Sequence, residues 1–208
     1  MFTGLLELLA AFIISVISGS GYLGIVFLMG IESACIPLPS EVIMPFSGYL
    51  VSVGRFDLKW VAIAGALGCN AGSLVAYYVG SWGGRPLVEK YGRYALITRH
   101  DIEMADRFFA RYGEWAVFIA RLLPVIRTFI ALPAGIARMN VLRFHVFTFL
   151  GSLPWCYALA YAGFKLGGRW TDLRLYFHRF DTLIGIVMVA GAVWFIHNRW
   201  KNRLRAEK

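Results

Sequence analysis

The chain has 208 residues, of which 59% are hydrophobic and 16% charged, and its formal net charge is +9. A soluble domain is nearer to roughly half apolar and a quarter charged, so the composition excludes an ordinary soluble protein and predicts a polytopic membrane protein. The basic excess reads as loop charge that sets topology and meets anionic lipid, and not as a nucleic-acid footprint.

Residues 4–18 are apolar and end at Gly19-Ser20-Gly21. They predict an N-terminal helix that either lies in the interface or begins a longer one. It has no basic start and no small-residue cleavage site, so it is expected to be retained. Residues 22–54 are too many for one span and too few for two spans of about 20 residues each. Pro37 and Pro39 forbid a continuous helix there. The economical solution is a re-entrant hairpin, one half-helix in and one out. Such a break is tolerated at membrane depth only against protein or a cavity.

Residues 60–82 carry no charge and predict a transmembrane helix. Residues 98–112, with alternating charges, predict a cytoplasmic or interfacial helix. Residues 115–137 contain Pro124 and Pro133 and echo the first broken stretch, which predicts a second re-entrant hairpin. Residues 144–166 and 182–198 predict two more transmembrane helices. Residues 199–208 form a basic tail. With residues 115–137 re-entrant, thirteen basic residues fall on the tail's side of the membrane and six on the other. A full crossing would divide them ten against nine. The stronger bias favours the hairpin and a cytoplasmic C-terminus.

The fold class is therefore all-α. Two units, each a broken hairpin followed by a transmembrane helix, face opposite ways as an inverted repeat, and a C-terminal transmembrane helix follows. Gly72-Ser73-Leu74 in one span is echoed by Gly151-Ser152-Leu153 in the other, and both spans run to a glycine pair, Gly83-Gly84 and Gly167-Gly168. Inverted repeats with broken helices that meet near mid-depth are common among transporters.

Four charges stand inside the broken stretches: Glu32 and Glu41 in the first, Arg121 and Arg127 in the second. A charge at mid-bilayer costs roughly 2.5–3.5 kcal/mol on insertion scales, and such residues mark substrate or ion paths. An arginine offers a planar fork that matches phosphate oxygens and stays charged. Arg127 is the first candidate for binding an anionic group. Arg121 is the second, or the partner of a glutamate. Glu32 and Glu41 are candidates for ion pairing and for proton coupling. Structural alternatives stand beside these roles: a Glu–Arg pair that only locks two hairpins, or Arg121 reaching for the interface. Pro37, Pro39, Pro124, Pro133 and Gly135 read as structural breaks, and Asn70 as an interhelical hydrogen bonder.

Cys35, Cys69 and Cys156 read as buried free thiols. His100, His145, His178 and His197 show no metal-ligand spacing. No H-E-x-x-H or G-x-S-x-G motif is present, so no enzyme, cofactor or metal is expected.

Two motifs resemble the DedA family, also called SNARE-associated or VTT. One is Glu32-x4-Pro37-x-Pro39-x-Glu41, followed by Gly48 and Gly54. The other is Phe118-x2-Arg121-x2-Pro124-x2-Arg127, then Pro133-Ala134-Gly135, Met139 and Phe144. The resemblance covers residues 21–168. It implies a multi-pass protein of the bacterial inner membrane with two opposed re-entrant hairpins. It also implies movement of an anionic lipid, some members being similar to transporters of undecaprenyl phosphate. Its functional residues carry over to Glu32, Arg121 and Arg127 directly, with Glu41 the nearest candidate for a second acid. Protons and membrane lipids are the further partners expected, and homo-oligomerisation stays open. The alternatives are a proton-coupled exporter or antiporter of small solutes, and a passive phospholipid scramblase.

Overall fold

The computed structural model describes residues 2–36, 38–91, 107–109, 111–123 and 126–169, with side chains from residue 8 onward except at 84–91 and 169. Pro37, Pro124, the expected span 182–198 and the tail 199–208 lie outside the described residues. Of the expected helix 98–112, residues 107–109, 111 and 112 are described and are helical. All regular structure among the described residues is helical. The helices are α1 (Phe2–Ser20), α2 (Tyr22–Ser33), α3 (Ser40–Ser52), α4 (Leu58–Tyr91), α5 (Trp115–Arg121), α6 (Ile126–Phe129), α7 (Ala131–Ile136) and α8 (Val141–Leu166). A short 3-10 turn, Gly167–Arg169, follows α8.

Among the described residues two stretches are long and apolar enough to cross a membrane, Leu58–Gly83 and Val141–Leu166. The helices of the broken stretches are short. α2 has 12 residues and α3 has 13. At 1.5 Å per residue each reaches about 20 Å, against about 30 Å of hydrocarbon. The break between them has clear local causes. The Ala34 N–H closes α2 on the carbonyls of Gly30 and Ile31. Cys35 then takes a left-handed φ of 68°, and extended Pro39 sits at the N-cap of α3. The second broken stretch has three pieces, with a further interruption at Ile130. Pro133 falls in the first turn of α7, where its missing N–H costs nothing.

Both long helices begin at a side-chain cap. Asp57 Oδ1 accepts from the Lys59 N–H at 2.8 Å, and Asn140 Oδ1 from the Arg143 N–H at 3.2 Å. These caps start the helices two or three residues before the expected 60 and 144. α4 also does not stop at Gly83-Gly84 but runs to Tyr91. A glycine inside a helix costs about 1 kcal/mol and does not forbid it. α8 does stop at its glycine, Gly167, which has a φ of 52°.

Small residues let the backbones touch along four seams. α2 packs on α4, and α5 packs on α8. α3 packs on α8, and α7 packs on α4. In the first seam a Cβ built on Gly68 would lie 2.4 Å from the Val26 carbonyl oxygen, and one on Gly72 would lie 1.9 Å from that of Gly30. In the second, a Cβ on Gly151 would meet Arg121 Cβ at 2.7 Å and the Phe118 oxygen at 2.9 Å. In the third, a Cβ built on Gly48 would lie 1.9 Å from the Ala160 oxygen and one on Gly163 2.0 Å from that of Pro45. In the fourth, a Cβ built on Gly135 would lie 2.0 Å from the Tyr77 oxygen and one on Gly80 2.4 Å from that of Leu132.

These seams are reciprocal in sequence. Gly48 and Gly135 stand at the same interval as Pro45 and Leu132. A second constant interval relates Tyr77 to Ala160, Gly80 to Gly163, Gly68 to Gly151, and the cap Asp57 to the cap Asn140. The sequence echo had matched Gly72 with Gly151. The packing matches Gly68 with it instead, because Gly68 is the residue that meets the preceding helix in the same way.

Candidate functional site

Three of the four charges are gathered and buried: Glu32, Arg121 and Arg127 are 6%, 2% and 4% exposed. Glu32 lies in the last turn of α2. Arg127 lies on α6, which the break after α5 brings to the end of α2. Its Nη2 donates to Glu32 Oε1 and, at 2.6 Å, to the Ser40 hydroxyl on α3. On its other side the guanidinium lies over the ring of Trp155 of α8, with Cζ 5.3 Å from the centroid. Three other segments thus hold one guanidinium. Nearby, the Cys35 thiol reaches the Thr128 carbonyl at 3.5 Å, a second tie between the two broken stretches.

Arg121 is held differently. It ends α5, and its Nη2 donates to the Ser73 hydroxyl of α4 at 2.5 Å. Ser73 in turn donates to the Cys69 carbonyl one turn back. Among the described residues no carboxylate pairs with Arg121. The sequence reading put Arg127 first as an anion ligand and offered Arg121 as a glutamate's partner; the geometry pairs Arg127 with the glutamate and leaves Arg121 without one. Arg121 does not reach for the interface, being 2% exposed. Glu41, in the first turn of α3, is half-buried and makes no ion pair among the described residues.

Several buried polar atoms have no hydrogen-bond partner: Glu32 Oε2, Arg121 Nε, Trp155 Nε1 and Thr148 Oγ1. An unpaired donor or acceptor in a low-dielectric interior costs about 1–3 kcal/mol, and more when charged. Three of the four belong to the cluster around the arginines. The buried centre therefore holds two cations against one anion, with donors left over. That is an arrangement suited to an anion.

The other expected site residues have structural places. Pro39 caps α3, and Gly135 lets α7 touch the backbone of α4. Cys69 on α4 and Cys156 on α8 are buried free thiols. Asn70 joins the same two helices, donating to the His145 carbonyl at 3.1 Å and pairing with the His145 ring. Among the described residues no group of three His, Cys, Asp or Glu could hold a metal ion. Ser40, Ser73 and Trp155 were not singled out from the sequence. The one signal was a tryptophan in the middle of a span, beside Pro154, rather than at its end.

Fold and site together define an all-helical membrane protein with a charged, buried centre. The VTT domain family matches residues 38–165, well over half of the chain, and the chain belongs to this family, also called DedA. It is 38% identical over 185 residues to undecaprenyl phosphate transporter A of Bacillus subtilis (strain 168), covering 88% of this chain and 91% of that protein. It is 37% identical over 188 residues to the uncharacterized membrane protein YkoX of the same organism, covering 90% and 83%. It is 31% identical over 197 residues to an alkaline phosphatase-like protein of Lactococcus lactis subsp. cremoris (strain MG1363), covering 90% and 92%. No solved structure matches the chain significantly.

Proposed function

We propose that this protein carries a phosphate-headed lipid, a polyprenyl phosphate such as undecaprenyl phosphate, across the bacterial inner membrane. The observation that carries the reading is Arg121. It is a fully buried guanidinium with one neutral hydrogen bond, an unpartnered Nε–H and no carboxylate among the described residues. A buried cation without a counter-charge is expensive, and a phosphate supplies both the charge and the missing acceptors. The transporter relative is similar over nearly its whole length, which favours the same lipid class over a small solute. The family and that name favour a transporter over an enzyme.

The architecture proposed with this function is an inverted repeat of two re-entrant hairpins, α2–α3 and α5–α7, each followed by a span, with the C-terminus in the cytoplasm. The reciprocal seams and their constant sequence intervals support it. In each unit the returning helix packs on the other unit's span, so the two breaks meet near mid-depth. Glu32 is the proposed proton carrier. When a phosphate takes Arg127, the Glu32 carboxylate loses its counter-charge, and taking up a proton removes the cost of leaving it ionised.

The test is transport of labelled undecaprenyl phosphate against a phospholipid in proteoliposomes, with and without a proton gradient. Wild type is expected to favour the polyprenyl phosphate, Arg121→Met to lose that preference, and Glu32→Gln to lose the response to the gradient. Equal movement of both lipids by wild type and Arg121→Met rejects the reading in favour of a passive scramblase.

A further inference from the structure

Among the described residues Trp155 is the one aromatic side chain set against the buried arginines of the charged cluster, and it takes no part in the ion pair. It comes from α8, a helix that supplies no charge to the centre. Its ring lies against the Arg127 guanidinium, with Cζ 5.3 Å from the centroid. Its indole N–H is buried and donates to nothing. Buried tryptophans usually find a partner for that donor.

The other span carries no tryptophan at the corresponding position. At the interval that relates Gly68 to Gly151 and Tyr77 to Ala160, Trp155 corresponds to Gly72. Gly72 lies directly against the Gly30 backbone. One span thus has no side chain at this position, and the other has the largest side chain available, beside the arginine.

We infer that Trp155 is a further substrate-positioning residue, donating its indole N–H to the phosphate of a polyprenyl phosphate held by the arginines. This rests on the lipid-phosphate reading of the site. Two properties suit the role. The ring face attracts the guanidinium without neutralising it, so Arg127 stays in place and keeps its charge when it turns from Glu32 to phosphate. The N–H is a neutral donor, which adds a bond to the anion without adding another buried charge.

The experiment measures equilibrium binding of farnesyl phosphate and of farnesol to the detergent-purified full chain, with inorganic phosphate as competitor and thermal melting as a control for folding. Wild type is expected to prefer farnesyl phosphate to farnesol. Trp155→Phe keeps a ring face but removes the donor. It should weaken farnesyl phosphate binding about tenfold, the size of one hydrogen bond to a charged group, and leave farnesol unchanged. Trp155→Leu should lose more, and Trp155→His, which returns a ring N–H, should regain part of the loss. Competition by inorganic phosphate alone as effective as by farnesyl phosphate would assign the donor to free phosphate and overturn the lipid source. Wild-type affinity in Trp155→Phe overturns the inference while leaving the lipid-phosphate reading intact. No preference for farnesyl phosphate in wild type overturns both.

Discussion

The pair α2–α3 and the broken stretch α5–α7 are packed alike but furnished differently. Each runs beside the span that follows it and then crosses to the other span, through glycines placed at matching intervals. Their side chains diverge at the centre. Where Arg121 meets Gly151, the matching residue against Gly68 is Met29. Where Arg127 stands on α6, the matching residue on α3 is Ser40, and these two bond to each other. The difference teaches that the scaffold is shared between the two regions, whereas the chemistry belongs to one centre built from both.

The largest expected effect comes from breaking the bond that joins the two regions. Glu32→Ala leaves Arg127 with an uncompensated buried charge and is expected to cost about 3–5 kcal/mol of stability in detergent. The double variant Glu32→Met with Arg127→Met should recover most of that stability and none of the lipid transport. Recovery of both would reduce the pair to a lock between the hairpins.

Next in size is a test of the shared scaffold. Gly48→Ala and Gly135→Ala each drive a methyl group into a facing carbonyl, of Ala160 and Tyr77 respectively. Overpacking of this kind costs about 1–3 kcal/mol, and the two melting temperatures should fall equally. A loss confined to one of them would break the equivalence of the two regions.

The smallest effect lies at the outer ends, where the regions differ again. Tyr22 accepts the Asp57 N–H at 2.9 Å in one, while Arg143 pairs with Glu114 at 2.6 Å in the other. The Arg143 hydrogen bond holds the Glu114 carboxyl below its ordinary value of 4.5. A carboxyl depressed in the folded state contributes stability that is present above that value and lost as pH falls through the folded one. The melting temperatures of wild type and Glu114→Gln should therefore differ slightly near neutral pH and converge as pH falls below 4.5. High salt should shrink the gap, because the pair is exposed.

Much of this architecture is legible in the chain because its causes are local. Long uncharged runs become long helices, and Pro39 marks the break before α3, although Pro45 and Pro154 stand inside α3 and α8. The helix ends were less legible. Asp57 and Asn140 extend the spans backward by capping them, and α4 passes through Gly83-Gly84 because a glycine costs a helix only about 1 kcal/mol. Within the site, the charges announced themselves by their cost in an apolar segment. Ser40, Ser73 and Trp155 did not, because a serine or a tryptophan in a membrane helix is ordinary until something charged lies beside it.

By itself the sequence determined that this is an all-helical membrane protein of the VTT family, with two interrupted stretches and four charges in costly places. Composition, proline and periodicity act over a few residues, so they can be read along the chain. Only the tertiary structure decided which charge meets which. Glu32 and Arg127 are 95 residues apart, and Arg121 and Ser73 are 48 apart. No spacing rule reaches across such distances. The pairing follows from glycine seams that fix how six helices approach, and among the described residues those seams left Arg121, rather than Arg127, without a counter-charge.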